Sequence, residues 1–284
     1  MNRIILGDCL VVLQGLPVGF ARLAYVDPPF NTGNAQKAKR VRVTADEGGD
    51  RVGFGGKRYR TTKADEDGPS YGDSFGGTGD YLAFLMPRLA AVARCLAKDG
   101  SLFVHLDQRE VHYVKVALDE MLGRERFMNE IIWAYDYGGR SKTRWSRKHD
   151  TILWYAMDPE SYVFDFEAMD RIPYMAPDLV GAEKAEHGKT PTDVFWHTIV
   201  PTNGKERTGY PTQKPLGVLE RIVKVHSAPG DVVLDAFAGS GTTGEAAAKN
   251  GRGFLLIDAS EDAVALMQKR LRGYSPAVDV TVEF

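Results

Sequence analysis

The sequence predicts an α/β fold with a doubly wound, mostly parallel sheet of seven strands. Seven short apolar runs have the length and composition of buried parallel strands. Segments with helical periodicity separate several of these runs, and strands that alternate with helices are typical of doubly wound sheets. The chain has 284 residues, 43% of them hydrophobic, which suffices to bury such a core without disulfides.

The predicted elements follow one another from the amino terminus onward. Runs rich in Val, Ile, Leu and aromatic residues predict strands, and apolar residues spaced by three and four positions predict helices. We expect the strands at residues 4–6, 23–26, 102–106, 131–135, 152–155, 232–234 and 254–257, and the helices at residues 80–97, 110–122, 216–226, 244–249 and 261–271.

Two stretches interrupt this alternation. Residues 34–79 are rich in glycine and charge and sustain no apolar period, which predicts a mobile, basic, glycine-rich loop rather than packed structure. Residues 159–209 contain scattered aromatic residues and prolines, and we interpret them as a small insert. The expected organisation is therefore one domain, residues 1–284, that carries a loop and an insert.

The composition excludes several classes of protein. The 36 Lys and Arg nearly balance the 38 Asp and Glu, and the net charge of -2 excludes an overall polycation. Cys9 and Cys95 form neither a zinc-binding spacing nor a Cys-x-x-Cys pair, which favours a reduced compartment. No apolar run approaches the roughly 20 residues that span a bilayer, and the amino terminus lacks a signal-peptide profile. We expect a soluble, cytoplasmic protein without a membrane partner.

The tetrapeptide Asp27-Pro28-Pro29-Phe30 directly follows the second predicted strand. Two consecutive prolines fix the backbone and cannot continue a hydrogen-bonded ladder, so a carboxylate, carbonyl groups and an aromatic ring are held at the strand's carboxyl end. Open α/β sheets bind ligands at that edge. An ordinary Asp-Pro turn is the alternative, but the rarity of this tetrapeptide favours a functional site.

Residues 235–243 form a glycine-containing turn between a predicted strand and a predicted helix. Gly239 and Gly241 permit close backbone approach to a ligand, and the helix N-terminus offers free N–H groups. Asp258 ends the next predicted strand, where an acidic side chain can bind ribose hydroxyls. A nucleoside-containing cofactor is expected, whereas the absence of Gly-x-Gly-x-x-Gly and of Gly-Lys-Ser/Thr disfavours dinucleotides and nucleoside triphosphates.

Two further polar residues have alternative interpretations. Lys214, in Tyr210-Pro-Thr-Gln-Lys-Pro215, is either a solvated lysine at a helix start or a contact for a cofactor carboxylate, and its position before the glycine turn favours the contact. Asp8 follows the first predicted strand and is either a helix N-cap or an acceptor for a cofactor amino group. It can serve as both.

Taken together, these residues resemble the β-group of S-adenosylmethionine-dependent amino-group DNA methyltransferases, of the adenine-N6 type. The resemblance implies a circularly permuted, Rossmann-like methyltransferase fold, because the catalytic tetrapeptide precedes the cofactor loop. The 26 residues before Asp27 cannot themselves hold the cofactor half of a sheet. The resemblance covers most of the chain and is carried by residues 7–9, 27–30, 103–110, 130–133, 138–142 and 212–215 and the glycine turn.

The resemblance also implies roles for individual residues. The Asp27 carboxylate and the Pro28 carbonyl would accept the two N–H groups of an exocyclic amine, Pro29 would keep the motif rigid, and Phe30 would stack on a flipped base. For Phe237 a core position is the alternative, and for His105 and Asp107 we prefer a structural role. The histidine spacings predict no catalytic metal. S-adenosylmethionine would be contacted by Asp8, Lys214, Asp235, Phe237, Gly239, Ser240, Gly241, Thr242 and Asp258.

Basic residues cluster in two stretches, residues 37–63 with a charge of +6 and residues 140–148 with a charge of +5. Such runs are commonly solvated faces, but each follows a predicted strand and both could flank one cleft, so phosphate contact is expected. Trp145 could wedge or stack beside a flipped base. The insert of residues 159–209 occupies the family's place for target recognition. The DNA-binding candidates are Lys39, Arg40, Arg58, Arg140, Lys142, Arg144, Arg147 and Lys148.

The expected activity is methyl transfer from S-adenosylmethionine to N6 of a flipped adenine in double-stranded DNA, at the nucleoid. A homodimer and a cognate restriction endonuclease are open as partners. Cytosine-N4 methylation is the alternative, because the tetrapeptide does not separate the two bases strictly. RNA-adenine and protein-glutamine methyltransferases usually carry Asn in its first position. A non-catalytic nucleic-acid-binding module would have no reason to keep Asp27, Phe30 and the glycine turn together.

Overall fold

The computed structural model describes residues 1–37, 41–52, 56–63, 70–201, 204–274 and 279–282. Its strands are β1 (Asn2–Leu6), β2 (Ala21–Val26), β3 (Gln36–Lys37), β4 (Val41–Ala45), β5 (Arg51–Val52), β6 (Arg58–Lys63), β7 (Ser70–Tyr71), β8 (Leu96–Leu106), β9 (Phe127–Ala134), β10 (His149–Ala156), β11 (Val194–Trp196), β12 (Val232–Asp235), β13 (Gly253–Asp258) and β14 (Asp279–Val282).

Helices connect most of the longer strands. They are α1 (Cys9–Gln14), α2 (Thr78–Cys95), α3 (Val111–Leu122), α4 (Ala182–His187), α5 (Leu216–His226), α6 (Thr242–Lys249) and α7 (Glu261–Leu271), with 3-10 turns at Arg124–Arg126 and Pro177–Leu179. No helix in the described part of the chain is both long and apolar enough to cross a membrane.

The central sheet has nine strands in the order β11-β9-β10-β8-β2-β12-β13-β1-β14. Strand β10 runs antiparallel to β8 and β9, and the other neighbours in this sheet are parallel. The predicted doubly wound, mostly parallel α/β fold is confirmed. The predicted number of strands is wrong, because the short edge strands β11 and β14 add to the seven. A three-residue strand such as β11, with Val194 and Trp196 exposed, lacks the apolar run that marks a buried strand.

Alternate residues of the inner strands pack into two separate hydrophobic cores, one on each face of the sheet. Leu255 and Ile257 of β13 pack with α1, α2 and α3 on one face, whereas Phe254 and Leu256 pack with α5, α6 and α7 on the other. All four side chains are fully buried. Successive side chains of a strand point to opposite faces, so a continuous apolar run is what a sheet covered on both faces requires.

The five predicted helices agree with the structure except at their ends. Helices α5 and α7 have the predicted bounds, and α6 begins two residues earlier, at Thr242. Helix α2 spans Thr78–Cys95, so the last two residues predicted as helical belong to β8. The six-residue helices α1 and α4 were missed because two turns hold too few residues to establish a period.

The expectation of a loop without packed structure is wrong for much of residues 34–79. Strands β4, β6 and β5 form a small antiparallel sheet, and β3 pairs with β7. Valine and tyrosine alternate with basic residues in β4 and β6, a period of two that the abundant glycine and charge obscured. Lys39 and Arg40 lie outside the described residues.

The region of residues 159–209 is only partly a separate insert. It contains α4, a 3-10 turn and an isolated bridge between Ile172 and Lys189, and the rest is largely irregular. Strand β11, however, pairs in parallel with β9 and extends the central sheet. The carboxyl-terminal part of the region therefore belongs to the main fold.

The strand register gathers several loops at one edge of the sheet. Val26, the last residue of β2, pairs with Val104 near the end of β8. Because β10 is antiparallel, its first residues lie at the same edge, and the loop of residues 135–148 between β9 and β10 opens there. The turns that follow β12 and β13 also lie at this edge, since both strands are parallel to β2 or to each other.

Candidate active site

A cavity of about 550 Å³ opens at this edge, between the tetrapeptide after β2 and the glycine turn after β12. Pockets for small molecules usually have about 300–1,000 Å³. Every residue predicted for catalysis or cofactor binding lines the cavity except Gly241. The fold thus brings together two motifs that lie about 200 residues apart in the chain.

Asp27 is paired with Lys214. The lysine Nζ donates hydrogen bonds to Asp27 Oδ1 at 2.8 Å and to Oδ2 at 2.6 Å, and it lies 4.9 Å from the centroid of the Phe30 ring. Lys214 is buried, so its ammonium is shielded from bulk water. The sequence predicts that Lys214 contacts a cofactor carboxylate, and its pairing with Asp27 was missed because nothing in the sequence links residues this far apart. Hydrogen bonds between two charged groups are about twice as strong as neutral ones.

His105 lies behind Asp27 at the end of β8. Its Nδ1 is 4.0 Å from Asp27 Oδ1 and is hydrogen-bonded to the Tyr25 hydroxyl, while its Nε2 is 3.3 Å from Asp150 Oδ2. Burial alone would raise the pKa of Asp150, but the hydrogen bond and charge of His105 and the charge of Lys214 lower that pKa below its usual value. The sequence analysis named His105 and Asp27 but not Asp150, the second carboxylate beside the imidazole.

The glycine turn is held by Asp235, the last residue of β12. Its carboxylate accepts hydrogen bonds from the Phe237 N–H at 3.0 Å and from the Thr243 hydroxyl at 2.6 Å. These bonds fasten the turn to the first residues of α6. Burial, reinforced by the negative charges of Asp27 and Asp258, raises the pKa of Asp235 to about 7 in spite of the hydrogen bonds.

Both glycines of the turn have left-handed backbone conformations, with φ of 49° at Gly239 and 75° at Gly241. The Gly239 N–H donates to Asp258 Oδ2 at 2.8 Å, which ties the turn to the end of β13. A Cβ on Gly241 would lie 2.8 Å from Met267 Cγ, closer than packed carbon atoms allow. Gly241 therefore serves the packing of α6 against α7 and does not line the cavity.

Asp8 has the N-cap geometry that is one of its two predicted roles. Its Oδ1 accepts a hydrogen bond from the Leu10 N–H at 2.8 Å, and its Oδ2 accepts one from Arg88 at 2.6 Å. Burial alone would raise the pKa of Asp8, but these hydrogen bonds and the Arg88 charge lower it. Asp8 also lines the cavity, so the second role, contact with a cofactor amino group, stays a prediction.

Aromatic side chains that the sequence did not single out complete the cavity. Tyr71 of β7 stacks on Tyr210 with ring centroids 6.3 Å apart, and its hydroxyl is 3.1 Å from the Thr212 hydroxyl. Phe84 lies 6.3 Å from Phe237, which is partly buried and packs against the core as well as lining the cavity. Tyr210 stands directly before Pro-Thr-Gln-Lys-Pro, a position that could have identified it.

The second basic stretch lies at the same edge as Asp27. Arg140 is paired with Asp136 at 2.8 Å, and Lys148 donates hydrogen bonds to backbone carbonyls of its own loop, including that of Gly138 at 3.2 Å. Lys142, Arg144 and Arg147 are exposed and form no ion pair with any described residue.

Trp145 and Arg58, two further candidates for contact with DNA, are both exposed. Trp145 is 96% exposed in the same loop, and Arg58 is exposed on β6, where it reaches the Gly49 carbonyl at 3.5 Å.

Across the described ranges, no group of three His, Cys, Asp or Glu residues could hold a metal ion.

This fold and site define a class of proteins, and sequence comparison identifies it. The model of the DNA methylase family matches residues 21–269, so the chain belongs to that family. It is 36% identical to the Type II methyltransferase M.ScaI of Streptomyces caespitosus over 93% of this chain and 79% of that protein. It is 26% identical to the DNA adenine methyltransferase YhdJ of Escherichia coli (strain K12), over 95% of this chain and 82% of that one.

Solved structures share the fold. The PvuII DNA methyltransferase, described as cytosine-N4-specific, superposes with a TM-score of 0.65 at 17% identity, covering 95% of this chain and 86% of that chain. The complex of M1.HpyAVI with S-adenosylmethionine superposes with a TM-score of 0.58 at 20% identity, covering 95% of this chain and all of the other.

Proposed function

We propose that this chain methylates DNA at the N6 amino group of adenine, with S-adenosylmethionine as the methyl donor. The observation that carries the proposal is the single cavity in which Asp27-Pro28-Pro29-Phe30 faces the glycine turn. A methyl donor held by the turn and an amine held by Asp27 would lie next to each other in this cavity.

The residues around the glycine turn fit S-adenosylmethionine. Asp258 and Ser260 place a carboxylate and a hydroxyl at the cavity wall, where they would hold a ribose, and the half-buried Phe237 offers an apolar surface for an adenine ring. A Cβ on Gly239 would lie 3.0 Å from the Tyr210 ring, so glycine allows the backbone of the turn and this ring to lie close together. When bound, S-adenosylmethionine supplies an electrophilic methyl group.

At the other end of the cavity, Asp27 would orient the acceptor nitrogen. An exocyclic amine is a poor nucleophile because its lone pair is delocalised into the base. The Asp27 carboxylate and the Pro28 carbonyl would accept its two N–H groups, which leaves the lone pair directed at the methyl group. A carboxylate has about four acceptor sites, so Asp27 can hold Lys214 and the amine together. Phe30 would stack on the base once it has been flipped out.

Adenine is favoured over cytosine by the Asp-Pro-Pro-Phe form of the tetrapeptide and by the name of YhdJ, a DNA adenine methyltransferase. Cytosine-N4 methylation is the second candidate, and the fold shared with the PvuII enzyme supports it. Such an enzyme would work at the nucleoid in the cytoplasm, with the loop of residues 140–148 on the phosphate backbone. A homodimer and a restriction endonuclease partner both remain predictions.

Nucleoside mass spectrometry tests the activity and the base together. DNA from a methylation-deficient host that expresses this chain should contain N6-methyladenine, and modification-sensitive sequencing of the same DNA reports the site. N4-methylcytosine without N6-methyladenine would refute the choice of base, and neither product would refute the activity. The Asp27→Ala variant should bind S-adenosylmethionine normally and give no product.

A further inference from the structure

A histidine with no solvent exposure lies directly behind the Asp27 carboxylate. His105 is the residue before the last in β8, the strand next to β2, and its ring packs between Phe30, at 5.7 Å between centroids, and Trp133, at 5.6 Å. Neutral packing alone does not explain an imidazole here, because a buried polar ring costs free energy unless its nitrogens are satisfied.

The groups around the imidazole come from three strands and the tetrapeptide. Strand β2 contributes the Tyr25 hydroxyl, and the tetrapeptide after it contributes the Asp27 carboxylate, 4.0 Å from Nδ1. Strand β10 contributes Asp150, 3.3 Å from Nε2, and β9 contributes the Trp133 ring. The Lys214 ammonium lies beyond Asp27. His105 therefore lies between two carboxylates: its Nε2 is within hydrogen-bond reach of Asp150, whereas its Nδ1 lies 4.0 Å from Asp27, beyond a direct hydrogen bond.

Methylation of an amine releases a proton, which must leave the site. The new N–C bond puts a positive charge on nitrogen, and loss of one N–H proton restores neutrality. Asp27, as the acceptor of that N–H, takes the proton first. A base and a cofactor that filled the cavity would exclude water from the front of the site. Asp27 is also the partner of Lys214, and their ion pair is restored only when the proton moves on.

We propose that His105 and Asp150 carry this proton away from Asp27 and out at the rear of the site; the inference rests on the proposed function. The amine N–H bond breaks and its proton passes to Asp27 Oδ1. It moves on to His105 Nδ1 once the 4.0 Å between these two atoms has closed to hydrogen-bond distance in the loaded site, while the Tyr25 hydroxyl turns from donor to acceptor. The imidazolium then loses one proton to Asp150 Oδ2. No other reactant is consumed.

Asp150 is placed to release the proton from this path to solvent. Its side chain is 15% exposed, whereas that of His105 has no exposure, so a proton on Asp150 can reach solvent. Tyr135 donates a hydrogen bond to Asp150 Oδ1 at 3.3 Å and holds the carboxylate towards the imidazole. His105 would not touch the base or the cofactor; it is a positioning and relay residue that acts through Asp27.

The test compares His105→Gln and Asp150→Asn with wild type, and uses His112→Gln on the exposed face of α3 as the control. Glutamine keeps polar contacts but does not accept a proton. Three quantities are measured: the dissociation constants for S-adenosylmethionine and DNA, the single-turnover rate of methyl transfer against pH, and proton release followed with an indicator dye.

We expect both relay variants to keep their dissociation constants within about twofold and to lose about 10- to 100-fold in single-turnover rate, in line with acid–base contributions of about 10²–10⁴. Proton release should lag behind methyl transfer in both variants, and their rates should depend on pH differently from the wild-type rate. His112→Gln should match wild type in all three measurements.

Wild-type rates and proton release in His105→Gln would overturn the relay and leave the proposed function intact. A loss confined to the dissociation constants would also overturn it, because it would show a purely structural role. If His105→Gln does not fold, Asp150→Asn decides by the same measurements. A wild-type chain that transfers no methyl group to DNA would instead contradict the proposed function.

Discussion

The most consequential single contact in the cavity is the one between Lys214 and Asp27. Both oxygens of the carboxylate lie within 2.8 Å of the same ammonium, and both side chains are largely shielded from water. Removing one partner of a buried ion pair leaves the other charge uncompensated and is strongly unfavourable. The lysine thus fixes the position of the carboxylate in the cavity.

We expect Lys214→Met to lower the methylation rate by about 10- to 100-fold, because Asp27 loses the group that orients it. Steady-state kinetics should show the loss mainly in kcat for DNA. The matched control is Lys98→Met, whose side chain is 87% exposed at the opposite end of β8. Equal rates for the two variants would contradict a role for the ion pair.

Asp235 links the site to the pH dependence of stability. Its pKa in the folded protein is about 7 because of burial, above the usual 3.8, so the folded state holds the proton more tightly than the unfolded state. The stability that protonated Asp235 contributes is complete below about pH 4 and is lost as the pH rises to about 7.

The Asp235→Asn variant should lack this contribution. Relative to the variant, the wild-type free energy of unfolding should fall between about pH 4 and 7, by up to about 4 kcal/mol at 1.36 kcal/mol per pKa unit. Urea denaturation at pH 5 and pH 8 measures the difference, with Asp178→Asn in an exposed turn as the control. A constant difference between wild type and Asp235→Asn would contradict the buried, protonated carboxyl.

How much of the site the sequence predicts depends on how local each contact is. The tetrapeptide and the glycine turn are each a continuous stretch of sequence, so the residue types within each stretch are enough to identify it. The pairing of Lys214 with Asp27 and that of His105 with Asp150 depend on strand order and register, which single-sequence patterns do not contain. Tyr71 was missed for the same reason, because it reaches the cavity only through the pairing of β3 with β7.

At the scale of elements, the two ends of the segment between β2 and α2 are hydrogen-bonded to each other next to the tetrapeptide. Asn31, with φ of 54°, donates to Glu110 at 2.8 Å and accepts from the Phe75 N–H at 3.0 Å. Gly33 donates to the carbonyl of the buried Asp73 at 2.9 Å. The basic strands β4 and β6 therefore leave and re-enter the fold beside the tetrapeptide.

The start of α6 depends on a glycine that the cavity itself does not use. At Gly241 a side chain would have to adopt φ of 75° and approach Met267 to 2.8 Å. We expect Gly241→Ala to destabilise the protein by about 1–3 kcal/mol, since left-handed backbone costs about 1–2 kcal/mol before any clash. It should also weaken S-adenosylmethionine binding, because α6 carries Thr242 into the cavity wall.

Gly79→Ala is the matched control for that prediction. Gly79 lies in the first turn of α2, and a Cβ there meets nothing within 4 Å. Alanine is the better helix former by about 1 kcal/mol, so this variant should be as stable as wild type or more so. Thermal and urea denaturation of both variants distinguishes the two glycines. A Gly241→Ala protein of wild-type stability would show that the turn tolerates a side chain.

At the scale of the whole molecule, charge is separated although the total is near zero. The two basic stretches carry +11 between them, so the remaining residues carry -13 against a net charge of -2. The stretch of residues 140–148 lies at the carboxyl edge of the sheet, the same edge at which the cavity opens. Cationic side chains that neutralise phosphates release counterions, so the DNA affinity of such a face depends steeply on salt.

Charge reversal tests this separation. Arg144→Glu, at the edge that carries Asp27, should weaken DNA binding uniformly across sequences and reduce the slope of log K against log salt by about 1 for each phosphate that it no longer neutralises. Lys98→Glu makes the same change of charge at the opposite edge of the sheet and should leave the slope unchanged. Fluorescence anisotropy of a labelled duplex from about 50 to 200 mM salt, the range over which phosphate binding weakens steeply, gives both slopes. If the two variants bind DNA equally weakly, net charge and not the basic loop governs DNA binding; if only Arg144→Glu binds more weakly than wild type, the loop lies on the phosphate backbone.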